Sequence, residues 1–228
     1  ALGAVGRSRG ARLRQQLPNF LTLLRVLAIG PFVALFYAPG AWAPGACSAV
    51  FSVAALTDWL DGYLARRWHV SSAFGAFLDP VADKLMVGAA LVLLPTAAGA
   101  AGAGSAALLA LPAVVLTLRE IFVSALREWM ATLGRRDAVK VGWAGKCKTA
   151  GLMVSVAVLL ATCRQGLASW AFKAALALLH FSALLAVTSG AAYFSAAWPA
   201  LAEGWRAGAG SEGGGAEGGR GSGEAEGG

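Results

Sequence analysis

The chain has 228 residues, of which 57% are hydrophobic and only 14% are charged. A soluble domain carries about 25% charged residues, so the composition excludes an ordinary soluble protein and predicts a polytopic membrane protein. The formal net charge is +7, but the basic residues lie mainly between apolar stretches, which fits membrane topology and not a nucleic-acid-binding face. Cys47, Cys147 and Cys163 form no C-x-x-C pair and are expected to be small apolar residues in helices.

Six apolar segments follow a basic N-terminal segment. Residues 1–16 carry four arginines and no acid, which is typical either of a transit-peptide remnant or of an anchor beside anionic lipid. A helix needs about 20 apolar residues to cross a bilayer. Such segments are predicted at 20–38, 47–66, 74–94, 106–125, 149–161 and 170–194. The fifth is short, and extending it back to Trp143 gives it a full span.

The two ends of the chain differ from the apolar part. Residues 204–228 are mostly Gly, Ser, Ala and Glu, a composition that cannot offset its ordering entropy and predicts a disordered tail. A six-helix membrane domain is expected at 17–198, and the fold class is all-α with six transmembrane helices. Lys and Arg are concentrated in alternate connections, which predicts that both termini lie on the inner side.

Four aspartates lie at the facing ends of the second and third segments. They are Asp58, Asp61, Asp79 and Asp83, in the pattern D-x-x-D-G-x-x-A-R-x8-G-x-x-x-D-x-x-x-D. Spacings of three and four residues put each pair on one helix face, and an antiparallel return brings the pairs together. Like charges in a low-dielectric site need compensation, and hard oxygen ligands select Mg²⁺ or Mn²⁺. The motif therefore predicts two divalent cations suited to phosphoryl chemistry.

Small residues accompany the aspartates. Gly62, Ala65 and Gly75 are consistent either with tight helix packing or with room for a nucleotide diphosphate. A solvated loop between two membrane helices is the alternative for any single aspartate. The four aspartates in register with these small residues favour the diphosphate site.

At these residues the chain resembles the CDP-alcohol phosphatidyltransferase family, whose signature is matched at every fixed position from Asp58 to Asp83. The resemblance implies a six-helix membrane fold, a homodimer, and attack of an alcohol hydroxyl on the β-phosphate of a CDP-activated lipid, with CMP leaving. It implies that Asp58, Asp61 and Asp79 are the main metal ligands and that Asp83 is the general base and also touches a metal. It further implies a CDP site lined by Gly62, Ala65, Arg66 and Gly75.

Three further segments, at 17–32, 118–136 and 141–153, resemble the phosphatidylglycerophosphate synthases within this family. That resemblance implies CDP-diacylglycerol as donor and sn-glycerol 3-phosphate as acceptor, giving phosphatidylglycerophosphate and CMP. A dianionic acceptor needs cations, and cations inside spans usually face a cavity or a partner. The candidates are Arg25, Arg119, Arg127, Lys146 and Lys148. The alternatives are a local pair of Arg119 with Glu120, an interfacial position for the two lysines, and snorkelling of Arg25.

Other functions stay open at this point. The same chemistry with another acceptor corresponds to a cardiolipin synthase or a phosphatidylinositol synthase. A divalent-cation transporter also uses intramembrane aspartates, but its ion path has to cross the membrane, whereas these aspartates cluster at one face.

The resemblance implies a bacterial plasma membrane, or a plastid or mitochondrial inner membrane, with the site on the inner face. His180 is expected to be a hydrogen-bonded helix residue.

Overall fold

A computed structural model describes the backbone of residues 2–68, 73–99, 103–134 and 143–213. It describes the side chains of residues 20–60, 63, 81–82, 84–97, 104, 106–134 and 149–203. Over these ranges the chain forms six α-helices and one short 3₁₀-helix, and contains no strand. The predicted all-α fold with six long helices is confirmed.

The helices follow the six apolar segments in chain order. They are α1 (Leu2–Tyr37), α2 (Ala43–Trp68), α3 (Ala73–Gly99), α4 (Ala103–Thr132), α5 (Trp143–Thr162) and α6 (Trp170–Gly213). A 3₁₀-helix, Gly166–Ala168, lies between α5 and α6. Helix α5 starts at Trp143, so the fifth segment does extend back as its sequence allowed.

The first and last helices of the chain are longer than the sequence predicted. Helix α1 is helical from Leu2, through the segment 1–16 that was considered apart from the membrane domain. Helix α6 continues to Gly213, ten residues into the expected disordered tail. Once a helix is nucleated, adding a residue costs far less than starting one, so apolar helices can propagate into weakly helix-forming ends. Residues 214–228 lie outside the described part of the chain.

Four of these helices have the length and apolar composition to cross a membrane. The qualifying stretches are Phe20–Tyr37, Ala43–Leu60, Ala106–Thr132 and Trp170–Glu203. Among the described residues, α3 and α5 contribute the shorter apolar stretches Lys84–Ala97 and Thr149–Thr162. Even α5, with 20 residues, is about 30 Å long, which matches a bilayer core. A polytopic membrane protein is therefore confirmed, and six crossings stay a prediction.

The six helices pack in a closed ring. Around it the order is α1, α2, α5, α6, α4, α3 and back to α1, with α3 also contacting α5 across the middle. The interior is filled by apolar side chains from every helix, among them Phe32, Phe51, Leu94, Leu159 and Leu179. Large apolar side chains such as Leu56 and Leu111 are about 70% and 68% exposed on the outside. An apolar exterior on this scale is what lipid-facing helices present.

One end of the bundle is tied together by Arg164, which follows α5. Its guanidinium donates to the carbonyls of Ala38, at 2.5 Å, and of Gly40. Gly40 has a φ of 128°, and the Trp42 indole lies 2.9 Å from where a Cβ would stand. Both constraints require glycine in this turn. The turn lies at the end of α2 opposite to the one that carries the aspartates.

Candidate functional site

The aspartate motif lies on two helices, as its spacing predicts. Asp58 and Asp61 belong to α2, and Asp79 and Asp83 belong to α3. Helical backbone at both places puts each pair on a common face. The side chains of Asp61, Asp79 and Asp83 lie outside the described residues, as do those of Gly62, Ala65, Arg66 and Gly75. Convergence of the four carboxylates therefore stays a prediction.

Asp58, the one motif aspartate with a described side chain, is paired with Arg25 of α1. The Arg25 Nη1 atom donates to Asp58 Oδ1 at 2.5 Å. The Arg25 side chain is only 2% exposed, whereas that of Asp58 is 37% exposed. Arg25 does not snorkel to an interface, and its guanidinium faces the aspartate motif. A buried guanidinium is tolerated because a carboxylate compensates its charge.

Apolar side chains surround this ion pair. A narrow crevice at the pair is lined by Phe51, Ala54, Ala55, Met86, Val87 and Met153. Low polarity strengthens the attraction between the two charges. The pair therefore fixes α1 against α2 at the level of the motif, and it orients one carboxylate oxygen of Asp58.

The donor chemistry at the motif fits a hard divalent cation. Carboxylate oxygens are the ligands that Mg²⁺ and Mn²⁺ prefer, and the pair with Arg25 uses Oδ1 of Asp58 while part of that side chain is exposed. Among the side chains that the structure describes, no three His, Cys, Asp or Glu residues form a cluster. The side chains of the other three motif aspartates lie outside the described part of the chain.

A cavity of about 520 Å³ lies between α3, α4, α5 and α6. This volume is in the range of small-molecule sites. Its walls are mostly apolar, and Val87 and Met153 separate it from the crevice at Asp58. The polar residues that line it are Lys84, Thr117, Arg119, Glu120, Arg127, Thr149 and Tyr193. Three cations and one carboxylate make this cavity suited to an anion.

Arg119 connects α4 to α6. Its Nε donates to the carbonyl of Ala186 at 3.2 Å, and its Nη2 donates to Ser189 Oγ at 3.1 Å. Its Nη1 donates to Glu120 Oε2 at 3.0 Å, so the predicted local pair is present. The guanidinium carbon also lies 5.8 Å from the Tyr193 ring centroid, within cation–π range. Arg119 lines the cavity, and three of its five N–H donors bond to protein groups.

Lys84 is a cavity residue that sequence reasoning missed. Its ammonium donates to Ser124 Oγ at 2.5 Å, and Ser124 Oγ donates to the carbonyl of Glu120 at 2.7 Å. The residue lies directly after Asp83, in the apolar stretch Lys84–Ala97. The sequence signal that could have identified Lys84 is a cation at the edge of an apolar span.

Of the other predicted acceptor residues, only Arg127 is shown at this cavity among the described side chains. Arg127 lines it from α4 and is exposed. Lys146 and Lys148 belong to the first turns of α5, but their side chains lie outside the described residues. Thr149, the next residue along α5, does line the cavity. Arg25 lines the crevice at Asp58 and not this cavity.

Two side chains expected to be structural are so. His180 Nδ1 lies 2.9 Å from the carbonyl oxygen of Leu176, one turn earlier in α6. Cys47 is buried, and its thiol contacts the carbonyl of Phe32 at 3.7 Å. Cys47 and Cys163 are both free thiols.

The fold and the site define a helical membrane protein with an aspartate motif beside a cationic cavity. The sequence model of the CDP-alcohol phosphatidyltransferase family matches residues 15–189. Relatives named CDP-diacylglycerol–glycerol-3-phosphate 3-phosphatidyltransferase occur in Salmonella paratyphi A, Salmonella typhimurium and Escherichia coli K12. Each is 48% identical to the chain over 181 residues, which cover 79% of this chain and 94% of the relative. The chain belongs to the CDP-alcohol phosphatidyltransferase family.

Proposed function

We propose that the protein transfers a phosphatidyl group from CDP-diacylglycerol to sn-glycerol 3-phosphate. The acceptor hydroxyl oxygen attacks the phosphorus that carries the diacylglycerol, and a new P–O bond forms there. The bond from that phosphorus to the oxygen of CMP breaks. The products are phosphatidylglycerophosphate and CMP, and the hydroxyl proton passes to a carboxylate of the motif.

The cavity between α3, α4, α5 and α6 is the observation that carries this proposal. Lys84, Arg119 and Arg127 bring three positive charges to its wall, against the single carboxylate of Glu120. This excess suits a dianionic phosphate ester, because charge-assisted hydrogen bonds to phosphate are strong. The names of the relatives support the same donor and acceptor.

The motif residues are assigned roles by their positions in the family signature. Asp58, Asp61 and Asp79 would be the main ligands of two Mg²⁺ or Mn²⁺ ions, and Asp83 would touch a metal and accept the proton of the attacking hydroxyl. Such ions, when bound, neutralise diphosphate charge. Gly62, Ala65, Arg66 and Gly75 would line the CDP site. Arg25 would position Asp58 through their ion pair and would not bind the acceptor.

Topology and assembly are part of the same proposal. Both termini and the motif would lie on the inner face of a bacterial plasma membrane or of a plastid or mitochondrial inner membrane. The donor lipid would enter sideways from the inner leaflet, and the soluble acceptor would arrive from the aqueous side. We further propose a homodimer, on the family resemblance alone.

A single assay tests the reaction. Purified protein with CDP-diacylglycerol and Mg²⁺ or Mn²⁺ should release CMP when glycerol 3-phosphate is added. CMP release with phosphatidylglycerol or inositol phosphate, and none with glycerol 3-phosphate, would contradict the proposal that glycerol 3-phosphate is the acceptor. Metal flux into proteoliposomes without lipid turnover would contradict the assignment as an enzyme and favour a transporter.

A further inference from the structure

Lys84 differs from Arg25 and Arg119, which are both paired with carboxylates, in the group that holds its side chain. Its ammonium is hydrogen-bonded to the neutral hydroxyl of Ser124. Among the side chains that the structure describes, no carboxylate forms an ion pair with it. Charged residues within membrane spans usually face a cavity or pair with one another. Lys84 lines the cavity and has no carboxylate partner among the described side chains, so it is suited to bind an anion there.

The cavity is where such an anion would bind. Lys84 is half-buried in the wall from α3, and Arg127 faces the same volume from α4. Lysine has three donors, and Ser124 takes one of them. Arg119, by contrast, is fixed by two groups on α6 and by Glu120. With its bond to Ser124 intact, Lys84 still has two N–H donors for a ligand, whereas the Arg119 guanidinium is held in place by bonds to α4 and α6.

The helix register connects this position to the chemistry. Successive residues of an α-helix are about 100° apart, so Lys84 and Asp83 occupy neighbouring faces of α3. A ligand held by Lys84 therefore lies beside the part of α3 that carries the last aspartate of the motif.

We propose that Lys84 binds the phosphate of the acceptor, with Arg127 as its partner, and that Ser124 keeps the ammonium aimed into the cavity. Arg119 is then a positioning residue, which shapes the cavity wall by joining α4 to α6. This inference rests on the proposed function and adds to it the residue that selects a phosphorylated acceptor. Phosphate is also present in the donor, so the test separates the two substrates.

Steady-state kinetics of Lys84→Met provide the first test. The KM for glycerol 3-phosphate should rise about 10- to 100-fold, because a charged hydrogen bond to phosphate is lost. The KM for CDP-diacylglycerol should stay within about threefold, and Lys84→Arg should recover part of the loss because it keeps the charge. Lys173→Met is the matched control, since Lys173 is exposed on α6 and does not line the cavity.

Three results would overturn the inference. They are an unchanged KM for glycerol 3-phosphate in Lys84→Met, a rise confined to the KM for CDP-diacylglycerol, and a fall in kcat with both KM values unchanged. A merely structural role for Lys84 predicts the last of these, or equal losses in all parameters.

Chemical footprinting of the unmodified protein gives a second test, which holds even if Lys84→Met does not fold. An amine-reactive reagent is applied with and without saturating glycerol 3-phosphate, and labelling is read by mass spectrometry. Lys84 should be protected at least about threefold, because the bound phosphate engages its ammonium, while Lys173 should not be. Equal labelling of Lys84 under both conditions overturns the inference. The footprinting contains no donor lipid, so it tests binding of the acceptor and not the reaction. Protection of Lys84 together with a lack of CMP release in the complete assay would contradict the proposed reaction and leave the role of Lys84 in binding intact.

Discussion

Arg25 and Asp58 form an ion pair across 33 residues of sequence, with 2.5 Å between Nη1 and Oδ1. The guanidinium is buried, and the carboxylate is partly exposed. The pair joins α1 to the first aspartate of the motif. It gives the arginine a structural reason to lie inside an apolar helix, and it fixes the orientation of one motif carboxylate.

Replacing Asp58 with Asn should therefore destabilise the fold as well as stop turnover. The expected loss is about 1–3 kcal/mol, less than for a fully buried pair because the carboxylate is partly exposed. Unfolding in detergent, followed for Asp58→Asn, Arg25→Met and the double variant, measures the coupling. Glu128→Gln is the matched control, because Glu128 is exposed on α4. Additive effects of the two single changes would contradict a direct interaction.

Gly190 should be intolerant of side chains larger than alanine because of Arg119. A Cβ at Gly190 would make an ordinary contact with Arg119 Cγ at 3.4 Å, so alanine fits there, whereas the two further methyl groups of valine would crowd the Arg119 side chain. Gly190→Val should therefore push α6 away from α4 and lower the thermal midpoint by about 3–10 °C. Gly30→Val is the matched control, since nothing lies within 4 Å of a Cβ there. Equal midpoints for the two variants would contradict close packing at Arg119.

The helices and their motif follow from local patterns, but the contacts between helices do not. Apolar length predicted six helices, and the spacing of Asp58 and Asp61 placed them on one face of α2. The pairs Arg25–Asp58 and Lys84–Ser124 join residues 33 and 40 positions apart. Such contacts depend on which helices become neighbours in the ring, and this depends on packing over whole helix surfaces. Arg119 lines the cavity, but no local sequence pattern predicts its attachment to α6.

Removing divalent cations should abolish CMP release, and adding Mg²⁺ or Mn²⁺ should restore it. Asp79→Asn should reduce turnover by at least about 10³-fold. The variant loses a ligand of the cation, and with it the cation's neutralisation of the diphosphate charge. Binding of Mn²⁺ followed by electron paramagnetic resonance, without substrates, provides a readout apart from activity. Glu203→Gln, an exposed carboxylate on α6, should leave both measurements unchanged. Full activity in excess chelator would contradict a cation-dependent reaction.

Cys163 should react slowly with maleimides, although it lies just outside the apolar stretch of α5. Burial raises the pKa of its thiol above the ordinary value of 9.0, and the neighbouring Arg164 only partly opposes this. The thiolate is the reactive form. Its fraction below the pKa therefore rises about tenfold per pH unit, and the labelling rate should follow between neutral and alkaline pH.

The same thiol tests the proposed topology. Cys163 neighbours Arg164, which holds the turn at Ala38 and Gly40, at the end opposite Asp58. In Cys47→Ser/Cys147→Ser protein, a membrane-impermeant maleimide should label Cys163 from the outer side only. Ala168→Cys, at an exposed position in the same connection, is the control and should react faster at neutral pH. Labelling from the inner side would reverse the proposed orientation, and equal neutral rates for the two thiols would contradict the raised pKa.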